Sequence, residues 1–227
     1  MNLLNKLNKH YETLGRPEKP LVIFDVDSTL MNTEPRNRAI LEESAKTIPP
    51  VADYLEHLDQ VSLGWNFLAP LEEAGLNDRG LLNKIRHFWS KRFFTDEYVI
   101  KDKAYPGSME LLNALKEGGF RIVYLTGRHI DGMSTGTKAS FRASGYPVEE
   151  ESFFFKPSFD MDDAVFKEQA CREIAALGTV IASFDNEPAN CNLLARAFPE
   201  GLHFWLDTIT SPEPEALDEG IIRLDGF

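Results

Sequence analysis

The run Leu21-Val22-Ile23-Phe24, followed at once by Asp25-Val26-Asp27, constrains this chain more than any other stretch. Four apolar residues in a row read as a strand covered on both faces, the kind found in parallel sheets between layers of helices. Carboxylates are almost never fully buried without partners. In open α/β sheets ligands bind in the crevice at the carboxyl ends of the strands, which is where these two acids stand. Asp25 and Asp27 are therefore candidate site residues on position alone, against the plainer alternative that they cap the next helix.

Four further apolar runs read as strands: Phe120 to Leu125, Ser152 to Phe155, Thr179 to Phe184 and Leu202 to Leu206. Helical patterns lie between them, at Gly107 to Lys116, Asp131 to Ser144, Asp162 to Leu177 and Ala189 to Ala197. Such alternation predicts βαβ units and a mainly parallel sheet with helices on both faces, a Rossmann-like α/β fold. Residues 34–103 break the rhythm, because they carry no convincing strand. Their pattern is helical at Arg36 to Ala45, Val51 to Leu63 and Gly80 to Arg92, with turn signals at Pro49-Pro50 and Gly75 to Asp78. A structureless loop of that length is improbable. The expected division is a core of residues 1–33 and 104–227 with a helical insertion at 34–103. Trp65, Phe67, Phe88, Trp89, Phe93 and Phe94 are read first as the core of that insertion and second as lining for a substrate.

The net charge of −12 argues against sequence-independent binding of nucleic acid and against anionic membrane surfaces. No run approaches membrane-spanning length, and the N-terminal residues lack the apolar core of a secretion signal, so a cytoplasmic location is expected. Cys171 and Cys191 form no metal-binding spacing and are read as packed thiols. The tail Ser211 to Gly220, with two prolines and four acids, is expected to be loosely ordered. Lys101 and Lys103 around Asp102 read as a solvated charge run.

Each of the next three core strands also ends in polar residues: Thr126-Gly127-Arg128, then Lys156-Pro157, then Asp185-Asn186-Glu187. In a parallel sheet these ends share one edge. Carboxylates 4 Å apart repel by about 4 kcal/mol at an effective dielectric near 20, and a bound cation removes that cost. Oxygen ligands without histidine or cysteine suit a hard ion such as Mg²⁺, which keeps waters and a substrate phosphate in its shell. Lys156, Thr126 and the amides around Gly127 supply what an anionic phosphoryl group needs. Metal plus anion points to phosphoryl transfer.

In this order the residues resemble the haloacid dehalogenase-like (HAD) superfamily, and within it the phosphatases. The first motif of that family, a hydrophobic strand and then Asp-x-Asp-x-Thr and a hydrophobic residue, reads here Asp25-Val26-Asp27-Ser28-Thr29-Leu30. Thr126 matches the second motif, Lys156 the third, and Asp185 the first acid of the fourth. The fourth motif departs from the pattern, since Asn186, Glu187 and Asn190 stand where a further acid is usual, and any of them is a candidate to support the metal. The resemblance covers nearly the whole chain apart from the N-terminal helix and the acidic tail.

The resemblance implies that Asp25 is a nucleophile forming an aspartyl-phosphate and that Asp27 is the general acid and base. Mg²⁺ would be held by Asp25, the backbone carbonyl of Asp27 and Asp185. Thr126, Gly127 and Lys156 would bind the phosphoryl oxygens, with Lys156 also offsetting charge around Asp25. Arg128 either binds the phosphate or pairs with an acid. The implied activity is hydrolysis of a small phosphorylated metabolite, with the insertion closing as a cap. A phosphotransferase or phosphomutase and a catalytically silent binding protein are the alternatives. Dehalogenase and phosphonatase readings are weaker, because Asp27 is present and no cap lysine is identifiable as a Schiff base.

Overall fold

The computed structural model describes residues 2–58 and 61–227. Residues 59 and 60, inside the predicted helix 51–63, lie outside the described residues. The chain opens with helix α1 (Leu3–Thr13) and strand β1 (Pro20–Phe24), and a two-residue strand β2 (Met31–Asn32) follows. The insertion carries α2 (Glu34–Thr47), α3 (Ala52–Leu58), α4 (Ala69–Glu73), α5 (Arg79–Phe93) and α6 (Asp96–Val99). It closes at β3 (Lys103–Ala104), which pairs antiparallel with β2, so both ends of the insertion are clamped side by side. The rest alternates: α7 (Ser108–Glu117), β4 (Arg121–His129), α8 (Ile130–Ala143), β5 (Phe153–Lys156), α9 (Asp163–Ala175), β6 (Thr179–Asp185), α10 (Pro188–Ala197), β7 (Leu202–Leu206) and β8 (Ile222–Leu224).

Six strands form one parallel sheet in the order β5-β4-β1-β6-β7-β8. Period-two alternation on β1 sends Val22 and Phe24 to one face and Leu21 and Ile23 to the other. The first face is covered by Leu7 of α1, Leu111, Leu112 and Leu115 of α7, and Phe141 of α8. Phe166, Ala170 and Ile174 of α9 and Leu194 of α10 cover the second. Full burial of a leucine, isoleucine or phenylalanine side chain contributes roughly 1.5–3 kcal/mol. This is the Rossmann-like α/β architecture expected from the alternation of strands and helices.

The chain runs outward from β1 to β4 and β5, then returns to lay β6 on the opposite side of β1. The order therefore reverses between β1 and β6, and their carboxyl ends flank a crevice. The insertion has a core of its own, built on Leu41, Val51, Leu71, Leu82 and Ile85, distinct from the two layers of the sheet. It docks on the core where α6 meets α8, an approach that Gly136 permits: a Cβ there would lie 2.4 Å from the Asp96 carbonyl oxygen. The Gly136 amide donates to the Asp96 carboxylate at 2.6 Å.

Several parts differ from expectation. The helix read at Val51 to Leu63 is α3 (Ala52–Leu58), with Leu63 outside any helix. The short helices α4 and α6 carry too few periodic residues to be read from the sequence. Strand β8 was not anticipated, because three residues with Arg223 at the centre carry no period-two signal. The acidic tail has no helix or strand, yet it is tied down: the Asn192 side chain donates to the Ala216 carbonyl at 2.9 Å and accepts from the Asp218 amide at 2.8 Å. No helix among the described residues is long and apolar enough to cross a membrane.

Candidate active site

Strand β1 delivers Asp25 to the crevice, and a tight turn follows in which the amides of Thr29, Leu30 and Met31 all donate to the Val26 carbonyl. Ser28 takes a left-handed conformation at φ 59° inside that turn, a strained backbone for a non-glycine residue. The turn is held against β6, since the Thr29 hydroxyl donates to Asn186 Oδ1 at 3.0 Å. Asp25 and Asp185 thus end adjacent strands side by side. Lys167 bridges them: its ammonium donates to Asp25 Oδ1 at 2.9 Å and to Asp185 Oδ2 at 2.7 Å.

Lys167 lies on α9, whose start is fixed by Asp162 accepting from the Val165 amide at 3.0 Å. This corrects the expectation for Lys156. The Lys156 ammonium is bound 2.6 Å from Asp163, and the charge beside Asp25 belongs to a lysine eleven positions further on. A signal for it existed: Lys167 shares the buried face of α9 with Ala170, Cys171 and Ile174, the one lysine on an apolar stripe.

Asp27 is held differently. Arg128 grips it bidentately, with Nε to Oδ2 and Nη2 to Oδ1 both at 2.9 Å, and Arg36 adds a bond to Oδ1 at 2.9 Å. Both guanidiniums also bind Asp102, Arg128 at 2.6 Å and Arg36 through two bonds. Of the two roles open to Arg128, the structure shows pairing with acids. Asp102 is 3% exposed while Lys101 and Lys103 are exposed, so the expected solvated charge run has a buried centre. Sequence reasoning missed Arg36 and Asp102, whose partners lie 66 positions apart.

These environments push the two leading acids apart. Burial lifts the Asp25 carboxyl up to about 8; Lys167 opposes the rise, and the charges of Asp185 and Asp27 add to it. Burial acts on Asp27 in the same sense, but the guanidiniums of Arg128 and Arg36 outweigh it and hold that carboxyl below the usual range. Asp27 still keeps 36% of its side chain exposed, towards the cavity. Burial disfavours charge on Lys167, and its two carboxylate partners overcome this and secure its proton.

The remaining expected residues are placed as follows. The Thr126 hydroxyl accepts from the Arg128 amide at 3.2 Å, and Gly127 lines the cavity. Asp185 Oδ1 accepts from the Glu187 amide at 2.9 Å and from Asn190 Nδ2 at 3.1 Å, so both residues orient the acid. The Glu187 carboxylate is turned to Ser211 and the Asn186 amide to Thr29 and Ile209.

Asp25, Asp27, Gly127, Arg128 and Lys167 open on a cavity of about 740 Å³ that is roofed by the insertion. From the roof come Asn37, Trp65, Phe67, Arg86, Trp89, Phe93 and Phe94. The two readings of the insertion's aromatics therefore both hold for Phe67 and Trp89, which pack in its core and also line the cavity.

The haloacid dehalogenase-like hydrolase family model matches residues 19–182. The chain belongs to that family. No curated protein matches the hydrolase in sequence. Its fold is shared with two solved proteins named as inferred phosphatases. The one from Clostridium difficile is 14% identical with TM-score 0.58, and the one from Clostridium acetobutylicum is 15% identical with TM-score 0.54. Each comparison covers 91% of this chain and 94% of the other. Against the class C acid phosphatase from Bacillus anthracis the identity is 15% and the TM-score 0.47, over 81% of the hydrolase and 59% of that chain.

Hydrolases of this family generally use a divalent metal, usually Mg²⁺. The donor set here suits such an ion. Among the described residues no three His, Cys, Asp or Glu side chains are grouped for a metal. A metal at Asp25 and Asp185 would rest on two carboxylates, with carbonyl, water and substrate oxygens completing its shell, which is the habit of Mg²⁺.

Proposed function

We propose that this hydrolase is a Mg²⁺-dependent phosphatase acting on a small phosphorylated metabolite. The observation that carries the reading is the placement of the Asp25 and Asp185 carboxylates on either side of one buried ammonium, at the point where strand order reverses, facing the cavity under the insertion. With all seven groups ionised, Asp25, Asp27, Asp102 and Asp185 against Arg36, Arg128 and Lys167 leave a formal charge of −1. A divalent cation reverses that sign and prepares the site for a phosphate dianion.

Asp25, the Asp27 carbonyl and Asp185 would hold the ion, which when bound supplies Lewis-acid polarisation of the phosphoryl group. Asp25 attacks phosphorus, the ester P–O bond breaks, and its electron pair leaves with the departing oxygen, which takes up a proton. Water then attacks phosphorus, the bond to Asp25 breaks, and phosphate is released with the carboxylate restored. Asp27 takes the proton of that water, a role that its carboxylate form suits. Serving the departing oxygen as well requires Asp27 to enter the first step as the carboxylic acid and to regain its proton from the attacking water, a form that the facing guanidiniums of Arg36 and Arg128 oppose. Lys167 offsets charge on Asp25 and Asp185 throughout. Residues 34–103 act as the cap that excludes bulk water from the cavity.

Replacing Asp25 with Asn should abolish Mg²⁺-dependent release of phosphate from p-nitrophenyl phosphate. Turnover retained by that variant would sink the mechanism.

A further inference from the structure

We propose that the part of the substrate beyond its phosphate carries a planar aromatic ring, seated against the exposed indole of Trp65 on the aromatic wall of the insertion. The inference rests on the hydrolytic reading above and specifies its substrate class. Phe67, Trp89 and Phe93 form a continuous stack, with centroids 4.7 Å and 4.5 Å apart and planes inclined by 15° and 29°. All three line the cavity that also holds Asp25. Trp65 lines it too and is 59% exposed, although tryptophan is a residue that folding normally covers. A flat ligand entering there would cover that surface.

One polar group of the wall is left over. The Trp89 indole N–H donates to Asn37 Oδ1 at 2.7 Å, which fixes the amide orientation and leaves the two Asn37 Nδ2 hydrogens to other acceptors. Asn37 is only 5% exposed and lines the cavity, and its Nδ2 has no partner among the described residues. This donor is open to the cavity, where it offers its hydrogens to an acceptor on the ligand. An acyclic or sugar phosphate would instead set hydroxyls against the exposed indole of Trp65. A heteroaromatic ring such as a nucleobase supplies both a face for Trp65 and an acceptor for Asn37, whereas a plain aryl group supplies the face alone.

The test compares substrate pairs with the same departing oxygen: nucleoside 5′-monophosphates against ribose 5-phosphate, and benzyl phosphate against butyl phosphate. The ring-bearing member should have kcat/KM about tenfold higher or more, the scale expected of ring stacking. Trp65→Ala should reduce that ratio towards one. The nucleotide pair showing the larger ratio would assign the ring to a nucleobase, and the benzyl pair showing it would assign an aryl group. Binding of the same compounds to the Asp25→Asn variant with Mg²⁺, followed by tryptophan fluorescence, provides a readout that needs no turnover. Tighter binding of ring-bearing compounds without turnover in the wild type would uphold the substrate class while removing the hydrolytic reading. Turnover with ratios within about twofold in both pairs would overturn the substrate class and leave the phosphatase intact.

Discussion

Lys167 and Lys156 are both part-buried or buried lysines paired with aspartates, yet their partners differ in consequence. Lys156 faces Asp163, whose side chain is 65% exposed, so the pair is largely screened and worth about 0–1 kcal/mol. Lys167 stands between two acids that are 10% and 1% exposed. Removing it leaves like charges facing each other in a poorly solvated crevice, where the loss of one aimed electrostatic group costs about 10²–10³ in rate. Lys167→Met should therefore lower kcat/KM for phosphate release by roughly a hundredfold, and Lys156→Met by no more than about fivefold. Steady-state kinetics on the two variants checks this, and the reverse ranking would return the role to Lys156.

At the scale of elements, the ion network of Arg36, Arg128, Asp27 and Asp102 joins parts of the chain that no single helix or strand could hold together. Arg36 comes from the first helix of the insertion, Asp102 from its return segment, and Arg128 from β4 of the sheet. Arg36 also lies over the Phe93 ring, 4.3 Å from its centroid, and donates to the Phe93 carbonyl at 3.1 Å. The posture of the insertion and the placement of Asp27 are thus set by the same two guanidiniums. Breaking a buried ionic cluster by deleting one member typically costs 3–5 kcal/mol, because the others keep their charge without compensation. Asp102→Asn should destabilise the protein by about that amount in urea unfolding. A loss below about 1 kcal/mol would mean that the network is as weak as an exposed pair.

For the whole molecule, pH acts through groups of opposite sign. Asp25 binds its proton more tightly when folded, so without metal its contribution to stability is largest below the ordinary carboxylate range and is lost as pH rises towards about 8. His203 does the reverse. It is 6% exposed, its Nδ1 pairs with the Ser183 hydroxyl at 2.7 Å, and its Nε2 donates to the Phe198 carbonyl at 2.9 Å. Burial, with the nearby charge of His10, holds the imidazole below its ordinary value, while the Phe198 bond opposes this. The unfolded chain therefore takes up a proton near pH 6.5 that the folded one refuses, and stability falls as pH drops below that point. His203→Asn should lose less stability than the wild type between pH 7 and pH 5, with both measured in EDTA. Equal losses would show that His203 does not titrate in this window.

The sequence by itself determined the architecture and the two acids that lead it. Short unbroken apolar runs that alternate with helical patterns read as strands covered on both faces, and a strand of that kind carries Asp25 and Asp27 to the edge where ligands bind. The order of the strands and their register are seen only in the fold. Only the tertiary structure decided which charges meet. Lys167 reaches Asp25 across 142 positions, and Arg128 reaches Asp27 across 101. A motif read along the chain ranks Lys156 ahead of Lys167, because it counts distance from a strand end. Electrostatic pairing falls off with distance in space, and α9 crossing back over the sheet brings Lys167, not its predecessor, within 3 Å of both acids.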